Sequence, residues 1–519
     1  MNNQRGKRVL ITRFIIVLAS ICFVQNLVAD EPVFSIDVTL DLGEDIGQSF
    51  GSVFEAQDVA GNGIIGAGFA DVYNTQFRND RHVLQFYVKP DKTARRKHTI
   101  TRLPFPGLGT GAYLFDLDQS LYAWDDSEGL RVRKLNDDLK TWSIADDIVR
   151  GGVRRGDGLI RVGNGILSYS LDGVYFDDKQ ILAPAKSGYY YKFYYANGRL
   201  FFYHRTTENG EESTVIKCAP WKPGQEDIDI KQVETSKTNY PRSSSFVWAQ
   251  LGNQVITVCN YGGVHVFKDG KWEIILEGSD KTSFQIYSAV NYKDVLYLAQ
   301  YPTGHLFEYD GQTLSHKKDW PPKSPVVSPS AREAQTTTIY RGELLVGVWP
   351  WAEIWRLNGD DQVWQFLGRA FTHPEPHNNT VHPYEEFAEQ HNLVLNSWGQ
   401  RVTGMSAIGS DLFLSTSSKG LYVWKDEYMF LTQSQREEYG SVLKLNMDGN
   451  LAASINWTGK PLDLSFKLYK SRLEIWQDGA LIGKTSHEVD LSVLSGLSQM
   501  YLGQGCFGKS PGEVTLSRN

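Results

Sequence analysis

The chain has 519 residues, 60 acidic against 53 basic side chains, a net charge of −7, and 13% aromatic residues. That length exceeds one ordinary hydrophobic core, so several domains or one large repeat array are expected. The acidic balance argues against nucleic acid as a partner, and the aromatic content points towards β structure, where large rings pack well.

The N-terminus has the pattern of a signal peptide. Arg5, Lys7, Arg8 and Arg13 form a basic region, Phe14 to Val24 is apolar, and Leu27-Val28-Ala29 offers a small-residue cleavage site. Residues 1–29 are therefore expected to be removed, and the protein to be secreted, periplasmic or at the cell surface. The apolar run is shorter than the roughly 20 residues that span a bilayer, and no later run is longer, so the mature chain is expected to lack a membrane span. Removal leaves 49 basic and 60 acidic residues, a net charge of −11. Three cysteines remain, Cys218, Cys259 and Cys506. They allow one disulfide and a thiol, or three thiols, and make no disulfide scaffold.

Phe34 to Leu42 alternates apolar and polar residues, a half-buried strand signal. Gly61-Asn-Gly63-Ile-Ile-Gly66 has the spacing of a phosphate-binding loop, but no βαβ unit surrounds it, so a turn between strands is the better reading. Val83 to Lys89 reads as a further strand.

From about Arg102 to Thr432 one unit repeats. Its clearest copy is Ser283 to Lys318: a strand-like run to Asn291, a polar turn, Val295 to Gln300, a Pro/Gly turn, and His305 to Tyr309 closed by Asp310-Gly311, with a fourth strand at Thr313 to Lys317. Related inner strands begin near residues 121, 166, 200, 255, 295, 344 and 412. Blade repeats of β-propellers run about 40 to 50 residues with four strands each. A lone meander cannot cover both its faces, so copies stack and closure protects the edges. Seven units fit, and Val83 could begin an eighth; unrelated hairpins in several sandwiches are the competing reading. The units resemble a β-propeller, without the Trp-Asp or Kelch glycine signatures.

The widest step contains an insertion, residues 371–398, in which Pro383 to Leu395 could form one short helix. After residue 435 the pattern changes to strands at Val442 to Met447, Leu462 to Tyr469, Met500 to Gly503 and Glu513 to Leu516. Between them lies the hairpin Leu473-Glu-Ile-Trp-Gln-Asp478-Gly479-Ala-Leu-Ile-Gly483. This hairpin and the later Tyr501-Leu-Gly-Gln-Gly505 segment resemble the laminin-G or concanavalin-like jelly-roll family. The resemblance covers only about 80 residues, short of a full domain of that family, and implies that Phe34 to Leu42 completes it. The expected architecture is all-β. It comprises an N-terminal segment (30–100) belonging to the sandwich or the first blade, a propeller of seven or eight blades (101–435), and a sandwich (436–519).

Four of 11 histidines fall in the insertion: His373, His377, His382 and His391, with Glu375, Glu385 and Glu386 among them. His373, His377 and His382 are candidate ligands for Zn²⁺ or another divalent metal, although no HExxH spacing is present; a polar loop held by prolines is the plainer reading. His377 and Glu385 are the catalytic candidates. Trp349, Trp351 and Trp355 are the ligand-binding candidates. Exposed, they would stack on a sugar face; buried, they would be core. Tyr189-Tyr190-Tyr191, Phe193, Tyr194 and Tyr195 allow the same two readings. No nucleophile elbow or isolated carboxylate pair stands out. Asn378 and Asn456 head glycosylation sequons. The leading expectation is an exported, non-catalytic protein that binds glycan or protein through the propeller face and the jelly-roll. The alternatives are a carbohydrate-active hydrolase or lyase, and a structural part of a cell-envelope assembly.

Overall fold

The computed structural model describes residues 8–10, 30–41, 51–69, 83–125, 131–148, 158–281, 285–324, 326–358, 362–377, 380–421, 423–425, 428–456, 460–503 and 514–517. The rest of the expected signal segment, Cys506 and parts of both sequons lie outside them.

The chain is all-β. Among the described residues, seven four-stranded antiparallel sheets follow one another: 113–144, 158–182, 189–237, 245–276, 285–317, 333–369, and 400–446 with Thr99–Arg102. Each of the first six is a simple meander in chain order. Tight hairpins are made where the sequence supplies positive φ at two successive residues. Asn209-Gly210 (51° and 83°) and Asp269-Gly270 (50° and 78°) are examples.

The seven sequence starts near 121 to 412 mark the second strand of every sheet, not the innermost. The second strands are Ser120–Asp125, Gly165–Ser170, Arg199–Glu208, Gln254–Cys259, Val295–Tyr301, Glu343–Trp349 and Asp411–Ser418. The first strands of neighbouring sheets meet side by side. Ser288 Oγ and Thr337 Oγ1 are 3.1 Å apart, Thr336 Oγ1 donates to the Val402 carbonyl at 2.6 Å, and Ser406 Oγ donates to Asp116 at 2.6 Å. Thr403 pairs with Ala112 and Ser406 with Asp116, so the first strands of the seventh and first sheets run parallel. Apolar cores join the second sheet to the third, the third to the fourth and fifth, the fifth to the sixth, the sixth to the seventh, and the seventh back to the first. Ile166 of the second sheet packs on the Phe115–Trp124 cluster of the first. The succession of contacts thus returns to its start.

The seventh sheet is made from both halves of the chain. Gln400–Ile408 and Asp411–Ser418 are followed in the sheet by Val442–Asn446 and then Thr99–Arg102, with Lys444 opposite Thr101. One sequence expectation changes here: Val442–Asn446 belongs to this sheet rather than to the C-terminal sandwich.

The remaining strands form two sheets packed face to face. One has the order Ala480–Ser486, Arg472–Gln477, Leu462–Leu468, Phe34–Leu40, Val514–Ser517. The other has the order Arg8–Leu10, Gln499–Leu502, Ser52–Gln57, Gly63–Phe69, Val83–Val88, Asn450–Ser454. Phe34–Leu40 pairs along its length with Leu462–Leu468. Val83–Val88 pairs with Asn450–Ser454 in this unit and does not begin an eighth repeat. The core is apolar throughout, with Phe466 5.4 Å from Phe54 and 5.3 Å from Phe86. The glycine-rich stretch is a turn, with Gly61 at φ 84°, leading into the strand Gly63–Phe69.

The junction between sandwich and sheets is polar. Glu343 is fully buried, with Arg341 at 3.1 Å and Arg356 at 3.4 Å. Arg341 also donates to the carbonyls of Asp448 (3.0 Å) and Arg95 (2.9 Å). Nearby, Glu55 meets Lys89 at 3.5 Å and Lys293 at 3.3 Å and accepts from Tyr87 at 2.9 Å. Burial alone would raise the Glu55 carboxyl, but the two lysines and the hydrogen bonds outweigh it and hold it at about 2.

Candidate functional site

Parallel first strands place their starting residues, and the turns that follow the second strands, on one face of the ring of sheets. On the fifth to seventh sheets these ends converge. Glu333 opens Glu333–Tyr340 and is fully buried. Lys419, in the turn after Asp411–Ser418, bonds its carboxylate, and Arg401 approaches it at 3.5 Å. The Lys419 ammonium lies 4.1 Å from the Trp349 ring centre and 5.0 Å from that of Tyr301. Burial pulls this amine down to about 8, while the Glu333 carboxylate beside it favours the charged form. Tyr287 stands next to Arg401 and Tyr301 and stacks on Phe246 at 5.3 Å; burial raises its hydroxyl pKa, with Arg401 opposing.

Two cations thus share one carboxylate, leaving a surplus positive charge beside half-buried aromatic faces. Lys419 is 20% and Arg401 14% exposed. The Arg401 Nε and the Trp349 indole N–H have no hydrogen-bond partner. Chemically this is a place for an anionic group next to a flat apolar surface.

The ligand-binding candidates from the sequence do not form an exposed platform. Trp349, Trp351 and Trp355 are 2%, 1% and 6% exposed. Trp349 ends one strand and Trp355 lies in the next, so the two do not share one strand face. Trp351 donates to the Val381 carbonyl at 3.0 Å under the Arg369 guanidinium, and Trp355 donates to Glu353 at 2.9 Å. Trp349 alone reaches the cluster. In the tyrosine run, Tyr189 and Tyr190 are half-buried; Tyr191, Phe193, Tyr194 and Tyr195 are buried.

The insertion folds over these strand ends. Its helix is Glu385–Gln390, shorter than the sequence suggested, and Glu385 accepts from the backbone N–H of Val381 (3.2 Å) and His382 (2.9 Å). Glu385 therefore fixes a loop. His377 is bonded to Thr380, the carbonyl of His373 accepts from Gln400, and the His382 ring packs 5.2 Å from Trp349. Among the described residues no three His, Cys, Asp or Glu side chains gather as a metal site, and His373, His377 and His382 do not converge. A second aromatic segment braces the insertion: Phe430 stacks on Phe387 at 4.0 Å and meets Trp398 at 5.4 Å. Cys218 and Cys259 are buried thiols.

No family model matches this chain. No curated protein matches it either. Solved structures similar to it include the β-propeller domain of the Trilobed protease from Pyrococcus furiosus, at 12% identity and a TM-score of 0.31, covering 60% of this chain and 91% of that one. Another is YCF48 bound to D1 peptide, at 13% identity and a TM-score of 0.23, covering 50% and 94%. A third is a putative oxidoreductase (glucose dehydrogenase) from Thermus thermophilus, at 12% identity and a TM-score of 0.31, covering 67% and 100%.

Proposed function

We propose that this chain is a non-catalytic binding protein that takes a carboxylate-bearing glycan at the mouth formed by the fifth, sixth and seventh sheets. The observation that carries this reading is the convergence of Lys419 and Arg401 on the single buried carboxylate of Glu333, beside the faces of Tyr301 and Tyr287. The cations supply charge-assisted hydrogen bonds to an acid group, and the rings supply the apolar plane on which a sugar stacks. In the same reading the seven sheets are the blades of a β-propeller closed by Thr99–Arg102. The two larger sheets are a jelly-roll of the laminin-G or concanavalin-like kind, and the basic and apolar N-terminal stretch supports export.

The test is isothermal titration of acidic and neutral oligosaccharides into the wild type, Arg401→Ala and Tyr287→Ala. Binding of a uronate oligomer that both substitutions weaken is the expected result. Silence across acidic and neutral sugars, or binding indifferent to both substitutions, removes the proposal.

A further inference from the structure

The surface beside the mouth continues past the fifth sheet. In four successive sheets the first strand carries a bulge near its start, with one extra residue set against its neighbour strand: Phe246, Tyr287, Gln335 and Thr403. A bulge bends the strand and re-aims the extra side chain. Gln335 and Thr403 are buried, whereas Phe246 and Tyr287 stay partly exposed. The two rings stack 5.3 Å apart with 10° between their planes, and so form one apolar ridge across the boundary of the fourth and fifth sheets.

At one end of this ridge Tyr287 stands next to Arg401 and Tyr301. At the other end is Arg205 of the third sheet. It pairs with Tyr189 as Tyr301 pairs with Gln285 and Trp349 with Glu333, in each case opposite the first residue of a first strand. Arg205 therefore takes, in the third sheet, the place that Tyr301 and Trp349 take at the mouth. Its Nη2 donates to the Ser243 carbonyl at 3.4 Å, just before Phe246 in the chain. The side chain is half-buried, 5.7 Å from the Tyr189 ring centre and 5.5 Å from that of Tyr191. Glu212 feels the charge of Arg205, but Arg242 already binds this carboxylate at 2.6 Å. Two cations again meet one carboxylate. Glu208 and Glu211 lie at the hairpin tip, about 10 Å further along the strands, where salt screens them.

We propose that the ligand is a chain of several acidic sugar residues lying along the Phe246–Tyr287 ridge. One acid group sits at Arg401 and Lys419 and another at Arg205. Charge-assisted hydrogen bonds hold the two acids, and the rings carry the apolar sugar faces between them. This rests on the reading of the mouth given above and adds a second subsite to it. Because both acids belong to one molecule, the second contact forms at high effective concentration, and affinity rises with chain length.

The test is titration calorimetry with galacturonate dimer and hexamer into the wild type, Arg205→Gln, Phe246→Leu and Arg401→Ala. The wild type should bind the hexamer at least about tenfold more tightly than the dimer. Arg205→Gln and Phe246→Leu should bring that ratio close to one, whereas Arg401→Ala should weaken both lengths. Two variants at separate points of the strip keep the test open should one fail to fold. Dimer and hexamer bound equally by the wild type, or a ratio that both strip variants leave intact, overturns the extension and spares the mouth. No binding at either length overturns both. An oligoglutamate that shows the same gain with length would assign the strip to acidic peptides, and overturns the glycan assignment.

Discussion

The junction and the mouth are built from the same parts in different surroundings. Glu343 holds Arg341 and Arg356, Glu55 holds Lys89 and Lys293, and Glu333 holds Arg401 and Lys419: in each, two cations meet one buried carboxylate. At Glu343 the cations are sealed in, with Arg341 1% and Arg356 2% exposed, and they also tie down backbone carbonyls from distant segments. At Glu333 the cations reach solvent and lie against aromatic faces. Composition alone does not separate a structural ion cluster from a binding one. Solvent access separates Glu343 from Glu333, because only an accessible cation can exchange water for a ligand. It does not separate Glu55, where Lys293 is 31% exposed and the nearby Asp294 carboxylate, bonded to Tyr501, balances the second lysine instead.

That contrast can be broken by substitution. The largest effect is expected for Glu343→Gln, which strands two buried guanidinium groups; loss of about 3–5 kcal/mol of stability in denaturant unfolding is predicted. A neutral result there would mean the junction is not held by this cluster. Next comes acid. The Glu55 carboxyl is held at about 2 in the fold against 4.5 in the unfolded chain. Its contribution is therefore present above pH 4.5 and lost as pH falls from 4.5 towards 2, in all on the order of 3 kcal/mol. Unfolding measured at pH 3 and pH 7 should show this slope, and Glu55→Gln should flatten it.

At the mouth the expected signature is the reverse, with binding changed and stability kept. Arg401→Ala should cost about 2 kcal/mol of affinity for a uronate oligomer while the thermal midpoint stays close to wild type. A collapse of the midpoint would instead assign Arg401 to the scaffold. The smallest effect is a pH dependence. Because the Lys419 amine sits at about 8, affinity for an acidic ligand should fall severalfold between pH 7 and pH 9, while a neutral ligand is unaffected.

The repeat was legible because the second strand of each of the seven sheets carries a short apolar run flanked by turn residues. Val255–Cys259 and Leu344–Val348 stand out on local pattern alone. The closure was not legible. Val442–Asn446 alternates as well as any sandwich strand, and nothing local says that its partner is Thr99–Arg102, near the other end of the chain. The short helix Gln433–Glu437 had a readable sign, the capping box of Thr432 and Gln435, which its brevity hid. The tryptophan and histidine motifs drew the eye to Trp349 and His382, which do pack together beside the mouth. The charged residues at its centre come from a strand start, a neighbouring strand and a turn. Glu333, Arg401 and Lys419 are ordinary residues in sequence and become a cluster only when three segments meet.

The most direct test is differential acylation of lysines at pH 8, read by mass spectrometry, with and without a galacturonate tetramer. Lys419 should be modified readily in the free protein and protected by the sugar, while buried Lys89 stays unreactive in both. Equal modification of Lys419 with and without the sugar, at concentrations where binding is saturated, would contradict the placement of the site.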